Sequence, residues 1–220
     1  MTTLAIVGAG PGVGAAVARR FGAEGFDVAL ISRTSARLDA LAAELAAEGI
    51  RARGFAADVT APDSVAVALN RAADVFGPID VLQYSPSVDR RFLQPVLETD
   101  AEDLDAALGF SLFGAKVAVD TVLPGLRAAG RGTVLFVHGG SAVRPRADFA
   151  GTSIAFAAAS AYAQTLHEAL RPEGVHVAQL IVPGAISEDD PVTNPGAVAS
   201  RLWELHERRD TFRAFHTQPV

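Results

Sequence analysis

The stretch that decides the fold runs from Leu4 to Gly14, with the sequence LAIVGAGPGVG, and continues from Ala15 to Phe21 as AAVARRF. A short apolar run is followed at once by a glycine-dense turn and then by a helical segment with few charges. Glycines let the backbone turn sharply and approach a pyrophosphate, whose charge is stabilised by the free N–H groups at a helix N-terminus. This stretch therefore predicts a dinucleotide-binding turn between the first strand and the first helix.

Strand and helix signals alternate along nearly the whole chain. Short runs rich in Val, Ile and Leu, typical of strands buried on both faces, occupy residues 3–7, 26–31, 51–56, 79–84, 132–138 and 174–182. Amphipathic or apolar helical stretches follow at 35–48, 62–76, 100–129, 149–171 and 196–208. Strands separated by helices predict parallel βαβ units, and hence an α/β fold with a doubly wound, Rossmann-like parallel sheet. We expect a single domain over residues 1–220, with substrate loops at about 86–99 and 183–196.

Composition limits the classes of function. The chain has 220 residues, half of them apolar, with a net charge of −6 and no cysteine. The acidic balance argues against a nucleic-acid partner, and the lack of cysteine excludes disulfides, thiolate catalysis and Cys-based zinc sites. The histidines show no metal-ligand spacing, so no metal is expected. With no basic leader and no apolar run of 18 residues, we expect a cytoplasmic protein that does not enter a membrane.

The end of the second predicted strand indicates which dinucleotide is preferred. An NAD site places Asp or Glu near this point, to accept hydrogen bonds from the ribose hydroxyls. Here Ser32 and Arg33 follow the strand, and no acidic residue occurs before Asp39. A hydroxyl and a guanidinium suit a 2′-phosphate, since a charge-assisted hydrogen bond contributes roughly 1.5–3 kcal/mol. The sequence therefore predicts NADP(H) as the cofactor.

Three motifs resemble the short-chain dehydrogenase/reductase family over residues 4 to about 186. They are Gly8-x-x-x-Gly12-x-Gly14, Ala57-Asp58-Val59 and Val182-Pro183-Gly184-x-Ile186. The resemblance implies that Gly8, Gly12, Val13 and Gly14 hold the pyrophosphate, that Asp58 and Val59 meet the adenine, and that Pro183, Gly184 and Ile186 contact the nicotinamide carboxamide. It also leads us to expect that the chain's end, residues 215–220, lacks the family's last strand.

The catalytic positions depart from that family. The resemblance implies an Asn-Ser-Tyr-Lys tetrad, whose positions fall here on Ser111, Gly139, Thr152 and Phe156. In the family the tyrosine supplies the proton that follows hydride transfer, and the lysine ammonium lowers its pKa. Lys116 is the only lysine of this chain. The standard phenol–ammonium pair is therefore absent.

Other polar side chains near the predicted site are candidates for the missing proton donor. Ser141 follows two flexible glycines, and Tyr84 ends the fourth predicted strand beside the expected nicotinamide. His138 ends the fifth strand, although the alternation of side chains predicts that it points away from the side that Gly139 faces. We predict Ser141 and Tyr84 ahead of His138.

Three functions remain open from the sequence. The first is an atypical NADP(H)-dependent oxidoreductase acting on a small carbonyl, quinone or enone. The second is a redox-neutral enzyme on the same scaffold, such as an isomerase, dehydratase or cyclase, and the third is a non-catalytic NADP(H)-binding subunit. We also expect a homodimer or homotetramer built on the long helices 100–129 and 149–171, because the second carries an alanine-rich face that allows close helix approach.

Overall fold

The computed structural model describes residues 2–217. Its strands are β1 (Thr2–Val7), β2 (Phe26–Ser32), β3 (Ala52–Ala56), β4 (Ile79–Tyr84), β5 (Gly132–Gly139), β6 (Val175–Val182) and β7 (Arg213–Phe215). Its helices are α1 (Val13–Gly22), α2 (Ser35–Ala47), α3 (Pro62–Phe76), α4 (Ala101–Leu108), α5 (Gly114–Ala129), α6 (Ala150–Leu170) and α7 (Pro195–Arg208). Short 3₁₀ turns occupy 90–92, 140–142, 147–149 and 171–173.

The strands form one parallel sheet in the order β3-β2-β1-β4-β5-β6-β7. Side chains alternate across it: Ala5 and Val7 pack with α3, α5 and α6, whereas Leu4 and Ile6 pack with α1, α2 and α7. The doubly wound fold predicted from the alternating elements is therefore confirmed. The chain order reverses between β1 and β4, and a crevice outside the carboxyl ends of strands at such a point is where ligands bind in this architecture.

The last strand corrects one expectation. β7 pairs in parallel with β6 through Arg213–Phe215, so the prediction that the end of the chain lacks a final strand is wrong. Three residues with a single buried side chain, Ala214, carry too short an apolar pattern to be recognised, and the strand depends on pairing with the backbone of β6. Residues 218–220 of that end lie outside the described residues.

The predicted helix over 100–129 is present, but its hydrogen-bond pattern changes from α-helical to π-helical in the middle. A π-helical segment, Gly109–Phe113, joins α4 to α5 and contains the buried Ser111. There the N–H of Gly114 bonds to the carbonyl of Gly109, five residues back. In a regular α-helix this N–H would bond to Phe110, whose carbonyl instead accepts a hydrogen bond from Tyr84.

The same stretch, residues 101–129, is long and apolar enough to cross a membrane by length and composition alone. Among its residues, Ala115, Val119 and Val122 are buried against the sheet, while Lys116 and Asp120 form an exposed ion pair on the other side. Those contacts are typical of the core helix of a globular α/β domain.

Candidate functional site

A crevice crosses the carboxyl edge of the sheet where β1 and β4 lie side by side. It consists of two cavities of about 690 and 510 Å³, which share the lining residues Gly8, Gly10 and 86–88. The larger cavity extends over the ends of β2 and β3, and the smaller one over the ends of β5 and β6. We call them the nucleotide half and the reaction half of the crevice.

The first turn approaches its neighbours too closely for side chains at two glycines. Gly8 has φ +105°, and a β-carbon there would overlap the Ser85 carbonyl at the end of β4. At Gly14 an added β-carbon would lie 2.8 Å from the Cα of Ala9. These glycines keep the turn tight and close to the neighbouring strand end, as the sequence predicts.

The remaining glycines of the turn leave space for a ligand. An added β-carbon at Gly10 or Gly12 would meet no atom within 4 Å, and both residues line the crevice. Gly12 is the N-cap of α1, so no side chain caps this helix, and its first turn carries no acidic residue. The start of α1, with Val13 and Gly14 lining the crevice, is thus free to bind an anionic group through backbone N–H groups.

Two unpaired guanidinium groups lie at the far end of the nucleotide half. Ser32 ends β2, and Arg33 and Arg37 line the cavity beside it. Neither guanidinium group forms a hydrogen bond or ion pair with any residue between 2 and 217. Two of the carboxylates that line the same cavity are paired with arginines, Glu44 with Arg19 and Asp89 with Arg91, and the third, Asp58, follows β3 rather than β2. The local charge available to a ligand at the end of β2 is therefore positive.

Asp58 and Val59 follow β3 and line the nucleotide half. One carboxylate oxygen of Asp58 accepts hydrogen bonds from the backbone N–H and the hydroxyl of Thr60, at 2.9 and 2.8 Å. These bonds fix the carboxylate at the cavity wall, while its second oxygen has no hydrogen-bond partner within residues 2–217. The pair is placed where the resemblance puts the adenine.

The reaction half is mainly apolar. Val137, Phe156, Val182 and Ile186 line it together with Gly184, which has φ +83° and turns the chain after β6. Pro183 is not among its lining residues: it packs beneath the 140–142 turn, where a β-carbon at Gly140 would lie 3.5 Å from the Cα of Pro183. Gly184 and Ile186, both predicted site residues, are brought to the crevice.

His138 also lines the reaction half, although only 5% of its surface is exposed. Its ring lies 5.1 Å from that of Phe156, measured between centroids, and its Nδ1 is 2.9 Å from the side-chain nitrogen of Gln179. The predicted alternation along β5 does not keep His138 out of the crevice, since His138 and Gly139 both line the same cavity. The crevice lies across the strand ends, where side chains from both faces of the last residues reach it.

The electrostatic surroundings keep the His138 ring uncharged. Burial, and to a smaller extent the nearby positive charge of Arg213, lower the pKa of His138 to about 4. At neutral pH the imidazole is therefore neutral and has one N–H donor and one acceptor nitrogen.

Tyr84 is not accessible to a ligand. Its side chain is 2% exposed, and its hydroxyl donates to the Phe110 carbonyl at 2.6 Å while packing against Gly114. Burial raises the pKa of this hydroxyl well above its usual value. The structure therefore corrects the predicted role of Tyr84 as a proton donor beside the nicotinamide. Its hydroxyl is buried and bonded to a carbonyl of the π-helical segment, so it does not reach the crevice.

Ser141 also lies away from the crevice. It forms part of the 3₁₀ turn Gly140–Ala142 after β5 and is not among the lining residues of either half. The turn directs the chain toward α6 rather than back over the cavity. The predicted proximity of Ser141 to a substrate is not seen in this geometry.

Within residues 2–217 there is no group of three or more histidine, aspartate or glutamate side chains arranged to hold a metal ion. His167 and His176, whose rings are 6.1 Å apart, lie near α7 at the other end of the sheet. The crevice therefore offers backbone N–H groups and guanidinium groups, which suit an organic anion, together with one imidazole and carboxylates that include Asp58 and Glu188.

Comparison with known proteins identifies the family. The family model for short chain dehydrogenases matches residues 2–192. The short-chain reductase protein NovJ of Streptomyces niveus is 33% identical over 184 residues, which cover 83% of this chain and 68% of NovJ. The chain belongs to the short-chain dehydrogenase/reductase family.

Solved structures agree with that assignment. A short-chain dehydrogenase from Rhodopseudomonas palustris superposes with a TM-score of 0.87 at 29% identity, covering 100% of this chain and 99% of the other. A metagenomic short-chain oxidoreductase in complex with NADP has the same fold, with a TM-score of 0.86 at 24% identity over 100% and 97% of the two chains. The chain is thus a member of a family of oxidoreductases by both sequence and fold.

The four residues on which the resemblance places the tetrad, Ser111, Gly139, Thr152 and Phe156, carry no titratable side chain. Phe156, at the lysine position, fills the space beside Gly139, where an added β-carbon would lie 3.7 Å from its ring. Thr152, at the tyrosine position, is buried and donates to the Phe149 carbonyl at 3.3 Å. Ser111, at the asparagine position, is buried in the π-helical segment.

Sequence reasoning missed Gln179 and Arg213. Gln179 is hydrogen-bonded to His138, and Arg213 is hydrogen-bonded to Gln179. Gln179 is fully buried in β6, a strand whose other members are apolar except for His176. A lone glutamine within an apolar strand is a signal that something polar lies opposite, because buried polar groups are nearly always hydrogen-bonded.

Proposed function

We propose that this short-chain dehydrogenase/reductase is an NADP(H)-dependent oxidoreductase that reduces small activated carbonyl compounds, such as quinones or enones, without a tyrosine–lysine pair. The observation that carries the choice of NADP(H) is the pair of partnerless guanidinium groups, Arg33 and Arg37, at the end of β2. A 2′-phosphate would be stabilised there, whereas a ribose hydroxyl would find no carboxylate following the strand.

The chain offers a complete set of positions for the dinucleotide. The tight turn at Gly8, the uncapped start of α1 at Gly12 and the open guanidinium groups support binding of a pyrophosphate and a 2′-phosphate. The residues proposed to hold the cofactor are Gly8, Gly12, Val13, Gly14, Ser32, Arg33, Asp58, Val59, Pro183, Gly184 and Ile186. When bound, the reduced nicotinamide supplies a hydride.

The class of substrate follows from what the reaction half lacks. Phe156 carries no ammonium group and Thr152 has no acidic phenol, so no side chain at these positions can transfer a proton efficiently near neutral pH. A quinone or enone accepts hydride to give a delocalised, weakly basic oxyanion, which needs a hydrogen bond more than an immediate proton. We therefore expect such acceptors to be reduced faster than simple ketones.

The test is a screen for loss of NADPH absorbance with quinones, enones and simple ketones. The proposal expects turnover with at least one quinone or enone and little or none with unactivated ketones. Tight NADPH binding with no turnover for any acceptor would instead support a redox-neutral enzyme or a non-catalytic NADP(H)-binding subunit. Preference for simple ketones would contradict the proposed substrate class.

We further propose that the protein is a homodimer or homotetramer assembled through α5 and α6. Ala155, Ala159 and Ala163 of the alanine-rich helix are buried in the protein's own core, so the face available to a second copy is narrower than the sequence suggests. Phe113, which ends the π-helical segment before α5, and Ile154 of α6 are 47% and 43% exposed. Light scattering should give a dimer or tetramer for the native chain and a smaller species for Ile154→Glu.

A further inference from the structure

Four polar side chains form a closed network behind the reaction half of the crevice. They come from four different elements: His138 at the end of β5, Gln179 in β6, Ser160 in α6 and Arg213 in β7. Three of them are at least 95% buried. A buried network of this kind holds its members in one arrangement, because an unmade hydrogen bond there is costly.

The orientation of the Gln179 amide is set by its neighbours. Arg213 donates from Nε to the amide oxygen at 2.8 Å, and the Ser160 hydroxyl donates to the same oxygen at 3.0 Å. Arg213 also donates to the Ser160 oxygen at 3.0 Å, which directs that hydroxyl proton toward Gln179. Because a guanidinium can only donate, the atom facing Arg213 must be the oxygen, and the amide nitrogen faces His138.

That orientation determines the tautomer of His138. The Gln179 amide nitrogen is a donor and lies 2.9 Å from Nδ1 of His138, so Nδ1 must accept and the ring proton must be on Nε2. No residue between 2 and 217 forms a hydrogen bond with Nε2. Nor is it one of the fully buried side-chain atoms left without a partner in that part of the chain, so Nε2 keeps some exposed surface, and the reaction half is the cavity that His138 lines.

We propose that Arg213 and Gln179 are positioning residues that hold His138 as a neutral imidazole with its proton on Nε2, so that the crevice presents a fixed hydrogen-bond donor to a substrate oxygen. The identity of that oxygen, as the carbonyl of a quinone or enone, rests on the proposed function. The positive charge of Arg213 behind the ring favours the neutral form. A neutral imidazole that polarises a carbonyl is an established catalytic arrangement in other enzymes.

The chemistry requires no proton from the protein. Hydride addition forms a C–H bond on the acceptor and moves the π-electron pair onto its oxygen, so the acceptor is reduced as the nicotinamide is oxidised. The His138 N–H stabilises the resulting oxyanion by hydrogen bonding and keeps its proton, because a neutral imidazole is a far weaker acid than an imidazolium. Water then protonates the product. Donors fixed in advance at such an oxygen typically contribute ~10²–10³ in rate.

The test is nitrogen NMR of the protein labelled with ¹⁵N-histidine, with the His138 signals assigned from their loss in His138→Gln. For the native chain we expect the Nε2–H tautomer throughout pH 5.5–8. Gln179→Glu should reverse the tautomer, because a carboxylate facing Nδ1 needs a donor there. A native Nδ1–H tautomer, or an imidazolium near pH 7, would overturn the proposal.

Variants of Arg213 separate positioning from folding. In Arg213→Met the amide is free to turn, and we expect a mixture of tautomers and a fall of about tenfold in kcat with an unchanged NADPH Kd. Arg213→Lys should restore most of the Nε2–H tautomer and most of kcat, since an ammonium can also donate to the Gln179 oxygen. Arg201→Ala is the matched control, because Arg201 pairs only with Glu204 on the surface of α7. A single unchanged tautomer in Arg213→Met would contradict the positioning role.

The NMR readout also keeps this inference distinct from the proposed function. The tautomer is measured without a nucleotide or substrate, so a protein that reduces none of the acceptors could still show the Nε2–H form and its dependence on Arg213. In that outcome the positioning network stands and the oxidoreductase proposal fails.

Discussion

The two halves of the crevice have changed to very different extents. The nucleotide half contains the tight turn at Gly8 and the aspartate at the end of β3 that the family motifs predict, and the uncapped start of α1 lies where the two halves meet. The reaction half carries Phe156 where the resemblance implies lysine, and its polar groups include His138, which the motifs do not contain. Thr152, where the resemblance implies tyrosine, is buried and lines neither half. The difference teaches that the binding of a dinucleotide and the chemistry performed on it depend on separate residues, which can be altered independently.

The largest expected effect comes from the turn that both halves share. Gly8→Ala would place a side chain at φ +105° and against the Ser85 carbonyl, so we expect a loss of roughly 2–5 kcal/mol in the free energy of unfolding together with loss of NADPH binding. Gly10→Ala is the matched control: its β-carbon meets no atom within 4 Å, and unfolding should be unchanged. Chemical denaturation measures both. Equal stability of the two variants would show that the turn is not constrained as described.

The next effect concerns the donor in the reaction half. His138→Ala should lower kcat by ~10²-fold with any acceptor that the screen finds, because the developing oxyanion loses its hydrogen bond. Tyr84→Phe and Ser141→Ala should keep native turnover, although Tyr84→Phe should lose about 1 kcal/mol of stability with its bond to Phe110. Steady-state kinetics of the three variants decides between them. Full activity in His138→Ala would remove the imidazole from the mechanism.

A smaller effect is expected at the family's tyrosine and lysine positions. Thr152→Val and Phe156→Leu should lower turnover less than tenfold, since neither native side chain can act as a phenol–ammonium pair and a full proton-transfer role is typically worth ~10²–10⁴. A change in KM alone for Phe156→Leu is the result expected if Phe156 only packs against the substrate. Abolition of activity in Thr152→Val would mean that the active site is placed wrongly.

The smallest expected effect is on stability at mildly acidic pH. The pKa values of His138 and His176 are lowered to about 4, chiefly by burial and then by the charges of Arg213 and Arg209 respectively. Unfolded imidazoles have a pKa near ~6.5, so below that pH the unfolded chain binds protons that the folded chain does not, and stability falls as pH falls toward 4. We expect a Tm lower by several degrees at pH 5 than at pH 7.5.

His176→Gln provides the control for that pH dependence. It removes one of the two buried imidazoles far from the crevice, so the fall in Tm between pH 7.5 and 5 should be shallower than in the native chain. An identical slope in both proteins would show that His176 does not titrate as its surroundings suggest.

Local patterns were enough to predict the sheet and the cofactor turn. The six longer strands lie within one residue of the predicted bounds because each is an apolar run closed by Gly, Pro or a charged residue. Gly8 and Gly14 were recognised because their spacing and their place between strand and helix reflect close backbone approaches. In contrast, β7 was missed because a three-residue strand depends on pairing with β6 rather than on its own pattern.

The side-chain roles in the reaction half depend on contacts that sequence order does not reveal. The direction of Tyr84 is set by a π-helical turn 26 residues away, whose free carbonyl could not be foreseen. The state of His138 is set by Gln179, 41 residues away, and Gln179 is in turn oriented by Arg213, a further 34 residues along the chain. Such networks are non-local, so a residue can be recognised as a candidate from sequence while its protonation and orientation cannot.

The measurement that tests the central claim most directly is a calorimetric titration of the native chain with NADPH and with NADH, repeated for Arg33→Ala. We expect NADPH to bind at least about tenfold more tightly than NADH, and Arg33→Ala to weaken NADPH binding by about 10–100-fold while leaving NADH binding unchanged. Arg71→Ala, which removes an equal charge from the exposed side of α3, should alter neither affinity. Equal or reversed affinities for the two nucleotides, or an Arg33→Ala variant that keeps the NADPH preference, would contradict that claim.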